Sequence, residues 1–204
     1  METSQSERAI KTLKAKGIAR LSELMAAGIA QETVARLVRS GRVMRLARGL
    51  YQLSGSDLQT AHNFAEASKL VPKGIICLVS ALQFHELTVQ LPRATWVAIE
   101  TGAATPRVST PPMRFVRFAK KAMTEGFERH KIEGVTVRIT DPATTIADCF
   151  RFRSKVGVDV ALEGLREALK RKATTPDKIM AAAQRRHIWT KLNPYLEAML
   201  DHAG

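Results

Sequence analysis

Five arginines, Arg36, Arg39, Arg42, Arg45 and Arg48, recur at every third position of RLVRSGRVMRLARGLYQL. A guanidinium stays charged at any physiological pH, and its planar fork of donors matches the oxygens of a phosphate. Such a series needs no further chemistry to bind a polyanion. Apolar residues (Val43, Met44, Leu46, Leu50, Tyr51, Leu53) and two glycines, Gly41 and Gly49, interrupt it. A plain solvated helix face would not be built that way.

Other chemistry has little to work with. The histidines at 62, 85, 130, 187 and 202 and the cysteines at 77 and 149 lack metal-ligand spacing. His85 follows an apolar helix face and reads as a satisfied core or boundary histidine. Cys149, in ADCF, has no base placed beside it and reads as a small core residue. Phosphate-loop, dinucleotide and nucleophile-elbow motifs are all missing. Gly55-Ser56-Asp57 looks like a fragment of a nucleotidyltransferase signature, but no D-x-D pair follows to hold a metal. Glu100 and Asp141 at strand ends lack the nearby lysine that a nuclease site needs. The expectation is therefore no catalytic residue, no metal, no cofactor and no enzyme.

The elements that must position the arginines can be read around them. Ser4-x-x-Glu7 has capping-box spacing, and Ala9, Ile10 and Leu13 share a face up to Gly17. Leu21, Leu24 and Met25 repeat the spacing up to Gly28, and Val34, Leu37 and Val38 repeat it up to Gly41. After three short helices the pattern turns extended, with strands predicted at 43–46 and 50–53. Three helices and a hairpin are the layout of a winged helix-turn-helix. Gln31, Thr33, Arg36 and Arg39 then lie on or beside the exposed face of the third helix, and Arg42, Arg45 and Arg48 line the wing. Gln31 and Arg36 are expected to reach base edges, Arg45 and Arg48 to contact phosphates or an adjacent minor groove. Glu32 would face phosphates unfavourably unless it reads a cytosine amino group.

Residues 54–60, SGSDLQT, read as a polar linker, which divides the chain into a DNA-binding domain at 1–56 and a second domain at 57–204. The second part mixes strands and helices. The apolar run 74–79 reads as a buried strand, with Ser80 capping a helix behind it. Segments 95–100, 113–118 and 135–140 alternate as strands do, and TPRVSTPP forms a loop between the first two. Asp141-Pro142, Thr175-Pro176 and Asn193-Pro194 each read as a helix start, and Leu162, Leu165 and Leu169 form one core stripe. The predicted class is α+β: an N-terminal winged helix followed by a mixed α/β domain that ends in helices.

Charge agrees with this division. The chain carries 32 Lys and Arg against 19 Asp and Glu, a net charge of +13, which favours a polyanionic partner. Residues 1–56 hold 10 basic side chains against 4 acidic ones, and the remainder 22 against 15, so charge is densest where the winged-helix pattern lies. Further basic residues, Arg151, Arg153, Lys155, Arg166, Lys170, Arg171, Lys172, Arg185 and Arg186, are spread over the helical end, either as a solvated face or as a surface for an acidic or nucleic-acid partner. METSQSERAIKTLK has no apolar h-region, and no apolar run reaches the roughly 20 residues of a membrane span. Two cysteines among apolar neighbours fit a reducing compartment. A cytoplasmic protein with no membrane partner is expected.

The stretch GIARLSELMAAGIAQETVARLVRSGRVMRLARGLYQL resembles the N-terminal winged helix of AbiEi-type antitoxins, most specifically in R-x-x-R-x-x-R-G-L-Y. KGIICLVSALQFHEL and VRITDPATTIADCFRFR are similar to later parts of that family. The resemblance implies a bacterial type IV toxin–antitoxin system. Its winged helix would repress its own operon at promoter inverted repeats, as a monomer in solution and two molecules per operator. Its C-terminal domain would counter a nucleotidyltransferase-like toxin without forming a stable complex with it. Two other readings stay open: a winged-helix regulator whose second domain senses something else and has no toxin partner, and an enzyme acting on nucleic acid.

Overall fold

The computed structural model of the protein describes residues 4–54, 62–108 and 111–201. The expected linker and the 56/57 boundary, with Gly55-Ser56-Asp57, fall on 55–61, outside the described residues. The chain forms two compact units. One comprises Met1–Lys73, Pro106–Met113 and His130–Val137, and the other Gly74–Thr105, Arg114–Arg129 and Arg138–Gly204.

In the first unit, Ser4 caps α1 (Gln5–Lys16) by accepting from the Glu7 amide at 3.2 Å, while the Glu7 carboxylate accepts from the Ser4 amide at 2.9 Å. The helix stops at Gly17, whose φ of +68° favours glycine. A strand β1 (Ile18–Arg20) leads to α2 (Leu21–Ala26) and α3 (Gln31–Arg39). The hairpin β2 (Val43–Ala47) and β3 (Leu50–Leu53) follows. Three helices and a hairpin thus appear where the sequence periodicity puts them. β1 is an addition. It pairs antiparallel with β3, Ala19 opposite Tyr51, to give a three-stranded sheet in the order β1-β3-β2. Three residues are too few to show a period of two. Ala9, Leu13, Leu24, Ile29, Val34, Leu37 and Val43 fill the core.

Helix α4 (His62–Leu70) and the turn at Glu133–Gly134 complete this unit. A Cβ on Gly17 would lie 1.6 Å from the Glu133 carbonyl oxygen, so the turn closes over the end of α1 only because residue 17 has no side chain. The Glu133 carboxylate accepts from Gln52 Nε2 at 3.1 Å and meets His62 Nδ1 at 2.8 Å. Burial, and the nearby Glu133 charge, raise the carboxyl of Glu66 on the same helix, with His62 opposing the rise.

A five-stranded sheet has the strand order β6-β5-β4-β8-β7. Its strands are β4 (Ile75–Ile76), β5 (Thr95–Glu100), β6 (Met113–Phe118), β7 (Phe127–Ile132) and β8 (Val135–Thr140). β4 runs antiparallel to β5 and parallel to β8. β5, β6 and β8 match the predicted strands, and β7 is new. FERHKI carries a charged or polar residue at four successive positions, which hides any alternation. The predicted strand at 74–79 is corrected: only Ile75–Ile76 is strand, and α5 (Leu78–Phe84) starts two residues later. Ser80 is therefore inside the helix. Its hydroxyl accepts from the Trp96 amide at 3.0 Å rather than capping.

Asp141 and Thr175 cap α6 (Pro142–Arg151) and α9 (Pro176–Arg185) as their prolines indicate. Asn193-Pro194 departs from expectation, because Pro194 lies within α10 (Trp189–Asp201). Between them come α7 (Arg153–Val156) and α8 (Val158–Lys170). Every residue of α6 from Ala143 to Phe150 is buried, and the helix packs against α5, α8 and α9. Leu165 is fully buried, with Leu162 and Leu169 packed beside it. Gly164 lets α8 approach α5, since a Cβ there would come within 2.8 Å of Leu82.

One of the basic residues read at the helical end also needs correction. Arg186 is 4% exposed, and its Nε lies 3.1 Å from Asp148 Oδ1 beneath the ring of Phe118. Burial pushes the Asp148 carboxyl up to about 7, and the charges of Arg186 and Arg151 hold it from rising further. The sequence shows no sign of this, because a charge in a basic helix end looks the same whether it points out or in.

Candidate nucleic-acid interface

Helix α3 buries Val34 and Leu37 against the core and leaves Gln31, Glu32, Arg36 and Arg39 exposed. Thr33 is placed differently from the expectation, being 8% exposed. Its hydroxyl donates to Gln5 Oε1 at 2.9 Å, and the Ala30 amide donates to the same oxygen at 3.1 Å. Ala30, at the cap position, has no side-chain acceptor of its own, so Gln5 of α1 fills that role from outside. Thr33 thus holds α3 in register on α1.

Arg36 is braced: its Nη2 donates to Ser6 Oγ at 3.0 Å, so the head is oriented while its other donors stay available. Arg39 ends α3, where a cation complements the helix dipole. Gly41, at φ +69°, turns the chain into β2, and Arg42 is exposed just after it.

The wing has an irregularity that the sequence did not reveal. Arg45 pairs with Tyr51 and Ala47 with Leu50, so Leu46 is an extra residue, a β-bulge. Arg45 and Arg48 are both exposed, and Arg45 Nε donates to the Ala47 carbonyl at 3.3 Å. Together they line a cavity of about 480 Å³ with Leu70, Val108 and a third arginine, Arg107. Among the described residues that line it, none is acidic. Three arginines that line one cavity make a site suited to an anion. Arg107 lies in TPRVSTPP, sixty residues from the wing. A lone arginine in a Pro/Thr loop carries no pattern, and only the fold brings it to this site.

Behind the interface, Glu23 is neutralised. Burial alone would raise its carboxyl, but bonds from Lys69 (2.8 Å), the Arg20 amide (2.7 Å) and Lys16 (3.0 Å) outweigh that and hold it at about 2. Lys69 also offers its carbonyl to the Arg20 guanidinium. This cluster locks α4 to α2 and β1 and balances the charge of Glu23.

Among the described residues no histidine, cysteine and carboxylate side chains gather as a metal-binding group, and no helix is long and apolar enough to cross a membrane. His85 donates from Nε2 to, or is held against, the Thr140 carbonyl at 2.8 Å, as a satisfied boundary histidine would be.

Comparison with solved structures finds the fold in RV2827C protein from Mycobacterium tuberculosis, with a TM-score of 0.65 at 11% identity over 98% of this chain and 78% of that one. No curated protein matches the chain. Residues 7–54, which form the helices, the β1 strand and the wing described above, match the family model for the AbiEi antitoxin transcriptional regulators.

Proposed function

We propose that the protein is a type IV antitoxin. Its winged helix binds inverted repeats in its own promoter and represses the toxin–antitoxin operon, and its second unit counters a nucleotidyltransferase-like toxin without a stable complex. It acts in the cytoplasm, is monomeric in solution, places two molecules on each operator and is not an enzyme. The observation that carries the reading is the set of exposed arginines, 36, 39, 42, 45 and 48, on the third helix and wing of an AbiEi-type regulator domain. Gel shifts with the chain's own promoter, against a version with both repeats scrambled, test it. Two successive shifts on the native fragment and none on the scrambled one are expected. Equal binding to both removes the repressor reading. A winged-helix regulator whose second unit senses a ligand is the second reading, and the apolar cavity of that unit, described next, favours it.

A further inference from the structure

The second unit holds a cavity of about 890 Å³ where the end of α8 and the turn into α9 face α10. Its walls are apolar, from Leu169, Tyr195, Met199 and Leu200. Tyr195 and Leu200 leave 38% and 42% of their surfaces in solvent, a cost that burial under a ligand would relieve. The volume falls in the range of roughly 300–1,000 Å³ typical of sites for small organic molecules. The polar groups are one-sided. Arg166, Lys170 and Lys172 line the cavity, and among the described lining residues none is acidic. Among the described residues, Lys170 has a carboxylate near it, Glu167 at 4.0 Å. Thr174 also lines the cavity, and its hydroxyl is buried with no hydrogen-bond partner among the described residues. A buried hydroxyl of that kind is costly to leave unpaired.

We propose that this cavity binds a small amphiphilic anion, a carboxylate with an apolar tail. The tail fills the space against Leu169, Met199 and Leu200, and the carboxylate takes the Arg166, Lys170 and Lys172 edge. The proposal depends neither on DNA binding nor on a toxin. All of its groups belong to the second unit.

The test uses the full chain and isothermal titration with dodecanoate below its micelle concentration, against dodecan-1-ol and dodecyltrimethylammonium as probes with the same tail. Saturable one-to-one binding of dodecanoate is expected, about tenfold or more tighter than the alcohol, with no binding of the cation. Lys170→Glu combined with Lys172→Glu should remove the preference for the carboxylate and leave the alcohol's affinity unchanged. Ala198→Trp, on the exposed wall, should block every tail; should that variant fail to fold, Leu200→Asp serves the same purpose from another exposed position. Thr174→Val keeps the side chain's shape and should weaken dodecanoate alone. No saturable binding, equal binding of all three head groups, or binding that persists when the cavity is blocked would overturn the assignment. So would an acidic amphipathic peptide that occupies the cavity when dodecanoate does not, since the site would then belong to a protein partner.

Discussion

Equal charges on the interface have unequal duties, because their surroundings differ. Arg36 is held by Ser6 on a helix whose buried face is fixed in the core, so its remaining donors can meet a base edge in one geometry. A bidentate contact of this kind discriminates by about 1–3 kcal/mol. Arg36→Ala should therefore weaken operator binding more than binding to random duplex, and parallel gel shifts on both would measure the difference. Arg107 sits with Arg45 and Arg48 in a site whose described lining has no acidic residue, which suits a phosphate oxygen. Arg107→Ala should lower affinity for every sequence alike and reduce the log–log salt slope by about one unit. A salt titration of the variant against wild type decides it: an unchanged slope places Arg107 off the DNA. Thr33 gives a contrasting case, since its hydroxyl is spent on Gln5. Thr33→Val should cost stability on the order of 1 kcal/mol through the lost bond and leave sequence preference alone.

Elements were legible where one periodicity ran long enough. Helices α1 and α3, the wing strands, β5, β6 and β8, and the caps at Asp141 and Thr175 all follow from spacing and start signals in the sequence. What stayed hidden depends on residues far apart in the chain. β1 exists because β3 offers it an edge, and Leu78 can start α5 so early because Trp96 takes the Ser80 hydroxyl from another strand. Proline in α10 broke the start rule because the preceding turn is already held, with the Leu192 amide donating to the Ile188 carbonyl. The same distance hid both ionic clusters, which make opposite demands on pH. Glu23 has a depressed folded pKa, so its contribution is present above its unfolded value near 4.5 and is lost as pH falls through about 2. Acid titration followed by the NMR amide signals of Glu23 and Lys69 should report this loss in the first unit. Asp148 has a raised one, so the second unit loses stability as pH rises from about 3.8 through about 7. Removing one partner of that buried pair strands the other. Asp148→Ala should destabilise by about 3–5 kcal/mol, whereas Asp148→Leu with Arg186→Met should recover most of it. Urea unfolding of the two variants makes the comparison.

At the scale of the molecule, the question is what the proposed regulator does with a second unit larger than the one that carries its winged helix. The exposed arginines of α3 and the wing all belong to the first unit, as does Arg107. The second unit has a core of its own around α6, a buried ion pair and an apolar cavity edged by cations. None of these features faces a need of the winged helix. A unit with a core of its own can retain its activity when the other loses binding. Arg36→Ala combined with Arg45→Ala changes two exposed side chains and should leave both cores intact. In cells that carry the proposed operon, this double variant should lose repression of a promoter reporter by tenfold or more. It should still rescue growth when the neighbouring toxin is expressed from a separate, unregulated promoter. Charge reversal at Lys170, Arg171 and Lys172 should give the converse, with repression kept and rescue lost, if the cationic edge of the cavity serves antitoxicity. The separate promoter matters, since it removes any protection gained by lowering toxin synthesis. Failure of the folded double variant to rescue under that arrangement would tie protection to the DNA-binding residues themselves, and the division of labour between the two units would not hold.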